Sequence, residues 1–135
     1  VPAVNQVELH PYFPQRQLQT FAAQHDIITE AWSPIGGVNV YGSRNPDKQR
    51  HVLEEPTLRA IADTHAKTPA QVVLRWHLQQ ERCAIPKSVN AERIAENFDV
   101  FDFELSAEEL ASIDGLDTGT RGGPDPDQVT STTFS

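Results

Sequence analysis

The sequence contains no methionine and a single cysteine, Cys83. One thiol cannot close an internal disulfide, so nothing calls for an oxidising compartment, and a cytoplasmic location is the expectation. Long apolar runs are also missing. None approaches the roughly 20 residues that cross a bilayer, and Val1-Pro2-Ala3-Val4-Asn5 lacks the basic stretch followed by an apolar one that marks a signal peptide. Positive charge is scarce: 11 Lys and Arg against 19 Asp and Glu give a formal charge of −8. That balance repels phosphate backbones and anionic lipid surfaces, so neither nucleic acid nor membrane is an expected partner. Without an initiating methionine, and with Val1-Pro2-Ala3-Val4 reading as the opening of a buried strand, the chain is expected to begin within a domain.

What is present is ordinary globular material, 135 residues with 38% hydrophobic content, ten prolines and seven glycines. Val4 to Leu9 reads as a strand that stops at Pro11, which cannot donate a ladder hydrogen bond. After Pro14, the spacing of Leu18, Phe21, Ala22 and His25 gathers them on one helical face. Ile27 to Trp32 is β-branched and aromatic, a second strand broken by Pro34 and Gly36-Gly37. From Gly37 to Glu55 no period is visible, and a long loop able to act as a lid is expected. Pro56 then opens a helix carrying Leu58, Ile61, Ala62 and His65, and Thr68-Pro69-Ala70-Gln71 is a capping box ahead of helical Val72 to Gln80. Ala84-Ile85-Pro86 gives a third, short strand, followed by a helix with Ile94 and Phe98. Ser106-Ala107-Glu108-Glu109 caps a last helix. Beyond it, residues 117–135 are too poor in apolar side chains to pack alone.

Strands alternating with helices imply parallel pairing and an α/β class. Three strands make a poor sheet by themselves, whereas a (β/α)8 TIM barrel needs about 250 residues. The chain therefore reads as roughly half of such a barrel. Half a barrel leaves two open edges, so its expected partner is the missing other half or a second copy of itself.

The segment most suggestive of chemistry is the end of the third strand, which delivers Lys87 and Ser88 to the first turn of a helix capped near Asn90. Helix N-termini bind anions through unpaired N–H groups and the dipole, and phosphate sites in barrels follow the last strands. Arg93, Glu96 and Asn97 sit at i, i+3 and i+4, a spacing suited to one planar polar group. Spacing alone leaves a solvated helix face as the commoner origin of such charges. His51 with Glu54, and Glu8 with His10, have no HExxH or paired CxxC around them, so no metal site is expected. Cys83 reads as a small core residue, and Gly119 to Gly123 is no P-loop.

Asn5-Gln6-Val7-Glu8-Leu9-His10-Pro11-Tyr12, Ala31-Trp32-Ser33-Pro34-Ile35-Gly36 and Ile85-Pro86-Lys87-Ser88-Val89 resemble, in order and separation, three signatures of the aldo-keto reductases. The run from Arg93 to Ser106 is similar to the family's last barrel helix and the segment after it. The resemblance thus covers Val1 to about Leu116, and it points toward the bacterial 2,5-diketogluconate reductase-like members. It implies that residues 1–116 are the C-terminal part of the family's (β/α)8 barrel, so that the missing half is the N-terminal half, and that 117–135 is a C-terminal tail or substrate-loop segment. It implies a barrel that binds NADPH across its mouth and passes hydride from nicotinamide C4 to a small aldehyde or ketone. By the same resemblance, Gln6 contacts the nicotinamide carboxamide and Trp32 stacks on the ring. Ser33, Ile35 and Gly36 follow the pyrophosphate, while Lys87, Ser88 and Arg93, with Val89 beside them, clamp the 2′-phosphate. Glu96 and Asn97 match the adenine contacts. The family's catalytic tyrosine, lysine, aspartate and histidine belong to the first half of its barrel, so no catalytic residue is assigned here, and Tyr12 and Tyr41 are read as structural. The isolated chain is accordingly expected to show no reductase activity, and a barrel that binds NADPH without turning over is the rival expectation.

Overall fold

A computed structural model describes residues 1–37 and 51–131 of the chain. Three parallel strands, β1 (Val4–Glu8), β2 (Ile28–Trp32) and β3 (Cys83–Ala84), form a sheet in the order β1-β2-β3. Helix α1 (Arg16–Gln24) crosses from β1 to β2, and α2 (Pro56–His65) with α3 (Pro69–Gln79) crosses from β2 to β3. Helices α4 (Ala91–Phe98) and α5 (Ala107–Asp114) follow. Helical crossovers are what parallel neighbours require, so the α/β expectation holds. The centre of the expected lid, residues 38–50, lies outside the described residues, and at its end Val52–Glu54 forms a 3-10 turn whose Val52 enters the core.

Helix starts follow local chemistry closely. The Thr68 hydroxyl accepts from the Gln71 N–H at 3.3 Å while the Gln71 side chain accepts from the Thr68 N–H at 3.0 Å. Ser106 and Glu109 reproduce the pair at 3.2 and 2.8 Å. Each box satisfies donors that a helix start otherwise leaves unpaired.

Successive strand side chains point to opposite faces, and the two faces of this sheet differ sharply. Leu9 and Ala31 face the helices, joining Leu58, Val72, Trp76 and Ile113 in one core. On the other face Val4 is 45% and Ile28 54% exposed, in line with Gln6, Glu30, Cys83 and Ile85. Cys83 is therefore exposed rather than a core residue, because the alternation of β3 turns it toward the uncovered face. Helix α1 departs from expectation in a similar way: small Ala22 is buried against the sheet, but Phe21 is 55% exposed and stacks on His25 with ring centroids 4.4 Å apart. Nothing among the described residues covers that part of the helix. Among the described residues no helix is long and apolar enough to cross a membrane.

Candidate functional site

The C-terminal ends of β2 and β3 open into a cleft of about 320 Å³ lined on one side by Ser33, Pro34, Ile35 and Gly37 and on the other by residues 85–90 and Arg93. The β2 side is a tight turn. The Gly36 N–H returns to the Ser33 carbonyl at 2.8 Å, with Ser33 at φ 46° and Gly36 at φ 91°. A Cβ at Gly36 would also lie 2.5 Å from the Val52 side chain, so both backbone angle and space demand glycine. Gly36→Ala is expected to cost about 1–3 kcal/mol, read as a lower urea midpoint; an unchanged midpoint would show that the turn relaxes freely.

Helix α3 braces this turn from below. His77 Nε2 donates to the Pro34 carbonyl at 3.0 Å, and the ring is fully buried. Burial, assisted by the nearby Arg82 guanidinium, pulls the His77 imidazole down to about 3. It is neutral at physiological pH, with the Nε2 proton fixed by the carbonyl it meets.

On the β3 side, the Ile85 N–H bonds to the Ala31 carbonyl at 3.2 Å, which extends the strand past Ala84 and brings Lys87 and Ser88 to the start of α4. The Asn90 side chain caps this helix, accepting from the Glu92 and Arg93 N–H groups at 2.9 and 3.1 Å. The Ser88 hydroxyl accepts from the Asn90 N–H at 3.1 Å. Two N–H groups expected to await an anion are thus already taken by the cap, and anion affinity falls to the helix dipole and the side chains around it. Those side chains suit the task. Among the described residues neither the Lys87 ammonium nor the Arg93 guanidinium has a carboxylate within ion-pairing distance, although acidic residues outnumber basic ones in the chain. Val89 stands almost fully exposed beside them.

The remaining predicted residues lie around this cleft rather than in it. The Gln6 amide donates to Glu30, its direct neighbour across the sheet. Trp32 ends β2 on the same face, half-buried and opposite Glu8. Glu96 accepts a hydrogen bond from the Thr68 hydroxyl, and Asn97 lines a separate apolar groove with Leu74, Leu78 and Phe101. Arg93 alone of the three α4 residues borders the cleft. No group of His, Cys, Asp and Glu suited to a metal ion occurs among the described residues. Glu8 and His10 bond to each other instead, at 2.9 Å. Tyr12 is tied to Glu55 through its hydroxyl, and Tyr41 lies outside the described residues. Local sequence pattern did not single out His77 as a brace, nor the contact of Gly122 and Gly123 with Glu8; only a buried polar residue on the core face of α3 hinted at the first.

Morphine 6-dehydrogenase of Pseudomonas putida is 54% identical over 136 residues, covering all of this chain and 46% of that protein. Methylglyoxal reductase DkgA of Escherichia coli K12 is 50% identical over 129 residues, covering 94% of this chain and 42% of that protein. A crystal structure of a Gox0644 mutant in complex with NADPH matches with a TM-score of 0.83 and 46% identity, over 96% of this chain and 44% of that one. The chain spans less than half the length of these relatives. A profile described as "Aldo/keto reductase family" matches residues 1–118, so the chain belongs to the aldo/keto reductase family.

Proposed function

We propose that this chain is the cofactor-gripping C-terminal part of an NADPH-dependent reductase of small aldehydes and ketones. In it, β1 to β3 and their helices supply the last three β/α units of a (β/α)8 barrel, residues 1–116, and 117–135 borders the substrate. The observation that carries the proposal is the convergence of two cations, Lys87 and Arg93, that have no ion-pair partner among the described residues, with Ser88 at the start of α4, in a cleft whose opposite wall is the Ser33–Gly37 turn. Such a site suits a 2′-phosphate, since charge-assisted hydrogen bonds from Arg and Lys to phosphate oxygens are among the strongest available. The Gox0644 relative in complex with NADPH supports the choice of nucleotide, and the names of the dehydrogenase and reductase relatives support interconversion of carbonyls and alcohols.

NADPH would supply a hydride from nicotinamide C4. The roles of the chain's own residues follow from the resemblance to the family. Lys87, Ser88 and Arg93, flanked by Val89, hold the phosphate. Ser33, Ile35 and Gly36 let the backbone approach the pyrophosphate closely. Gln6 offers its amide to the carboxamide, and Trp32 presents an aromatic plane that orients the nicotinamide without hydrogen-bonding it. Glu96 and Asn97 serve the adenine, and for Glu96 this requires its carboxylate to leave the Thr68 hydroxyl. The general acid is assigned to the earlier part of the barrel, and its assistance is typically worth about 10² to 10⁴ in rate. The 135 residues alone are thus expected to bind without appreciable turnover.

Arg93→Ala tests the clamp. Titration calorimetry on the chain is expected to show NADPH affinity falling about 10- to 100-fold, the worth of a charge-assisted hydrogen bond, while NADH affinity stays level. Equal losses for both nucleotides would remove Arg93 from the 2′-phosphate, and no NADPH binding by the unsubstituted chain would overturn the proposal.

A further inference from the structure

Glu8 ends β1 opposite Trp32, and although it lies on the sheet face that is otherwise open, it is only 1% exposed. A buried carboxylate is costly unless each oxygen is paired. Here four groups reach it. His10 Nε2 donates to Oε1 at 2.9 Å, the Gly122 N–H also meets Oε1, and the Gly123 N–H donates to Oε2 at 2.9 Å. The Arg121 guanidinium stands 4.0 Å from Oε2. Two successive backbone N–H groups aimed at one carboxylate form an anion cradle, and together with His10 they hold the Glu8 carboxyl below its usual range despite the opposing effect of burial. Three of the four groups come from one short stretch near the far end of the sequence.

Space explains why that stretch reads Gly-Gly. A Cβ at Gly122 would lie 2.9 Å from Glu8 Oε1, and one at Gly123 would lie 2.5 Å from Cη2 of the Trp32 indole and 3.0 Å from Glu8 Oε2. Only a backbone without side chains reaches the carboxylate and rests against the ring at once. The segment is secured on either side as well. The Thr118 N–H and hydroxyl both donate to the Tyr12 carbonyl, at 3.0 and 3.1 Å, and the Arg121 guanidinium lies 4.7 Å from the centre of the Phe13 ring.

We infer that Glu8 is a positioning residue whose carboxylate fixes the Gly122–Gly123 backbone against the Trp32 indole, making the C-terminal segment a wall beside that ring. Under the proposed cofactor role, on which this consequence rests, the nicotinamide lies on Trp32, and the latch fixes the position of that ring. The latch itself exists independently of any nucleotide.

Two variants of the chain test this. Glu8→Gln removes the charge, and Gly123→Ala displaces the backbone from the ring while leaving Glu8 in place. In the unsubstituted chain the Gly122 and Gly123 amides are expected to be protected from hydrogen exchange. In Glu8→Gln their exchange rises about 10- to 100-fold, in keeping with loss of charge-assisted hydrogen bonds, while the α3 amides from Val72 to Trp76 keep their protection. Acrylamide quenching of tryptophan fluorescence is expected to increase in both variants, because Trp32 is uncovered and Trp76, fully buried, stays silent. Unprotected Gly122 and Gly123 amides in the unsubstituted chain would overturn the latch. Unchanged quenching in Gly123→Ala would overturn the positioning of Trp32, and it decides the matter if Glu8→Gln unfolds α3 as well. Should the exchange and quenching results appear as expected while the chain binds no NADPH, the cofactor role fails and the latch stands.

Discussion

Truncating Trp76 to alanine is expected to destabilise the chain by about 3–5 kcal/mol, the range found when large aromatic side chains leave a cavity behind. Trp76 is fully buried and joins three parts of the molecule. Its indole N–H donates to Asp114 Oδ1 at 2.9 Å, tying α3 to the end of α5, and its ring lies 3.9 Å beneath the Arg82 guanidinium. Arg82 is itself buried and held by the Trp76 carbonyl at 3.2 Å and the Gln19 side chain at 3.3 Å. Burial draws the Arg82 guanidinium down to about 10, which still leaves it charged at neutral pH. Alanine at 76 would thus leave a void, an Asp114 oxygen without its indole donor and a buried cation without the aromatic face that partly replaces water. Small domains hold only about 5–15 kcal/mol in all, so urea unfolding should show a large fall in midpoint or no cooperative transition. A midpoint within error of the unsubstituted chain would contradict the central place given to this residue.

The second large effect is acid sensitivity at His77. Its folded-state value of about 3 lies below the 6.5 of an unperturbed histidine, with burial as the principal cause. Above pH 6.5 the ring is neutral in both folded and unfolded chains, and its contribution to stability is fully present. As the pH falls below 6.5 the unfolded chain takes up a proton that the folded chain refuses until about pH 3, so stability declines by about 1.4 kcal/mol per pH unit through that window. Between pH 6.5 and 5 the carboxylates whose folded values are lowered, Glu8, Asp102, Glu108 and Glu109, contribute little in the same direction, because their ordinary values of 4.5, or 3.8 for Asp102, lie below this interval. Urea midpoints of the chain and of His77→Gln over this interval isolate the imidazole. The variant is expected to be less stable at pH 7 yet to show a flatter dependence; parallel curves would mean that His77 is protonated more easily than its surroundings imply.

These two residues illustrate what a one-dimensional reading conveys. The helix containing both was foreseen, because the Thr68 and Gln71 capping box is a local device whose partners lie three residues apart. The Ser106 and Glu109 box was foreseen for the same reason. The strands were visible too, as apolar and β-branched runs ended by proline or glycine, but such runs do not say which of two faces is covered. Cys83 was therefore expected inside, and it emerged on an uncovered surface. For the candidate site, a strand end running into a capped helix drew attention to Lys87, Ser88 and Arg93, but only the family resemblance gave them a role, and the structure brings them to one cleft. The Asn90 cap that occupies the first N–H groups was not foreseen in that role. Glu8 was read as an ordinary polar residue. Its partners Gly122 and Gly123 lie more than a hundred positions away, and no periodic pattern records a contact at that separation.

The sheet ends at β1 on one side and at β3 on the other, each paired with a neighbour along one edge only among the described residues. Unpaired peptide groups along such edges are templates for any strand that can align with them. A segment that does so binds the folded chain and not the unfolded one, and by mass action it raises apparent stability as its concentration rises. Folding of these residues and recognition of such a segment would then be one equilibrium.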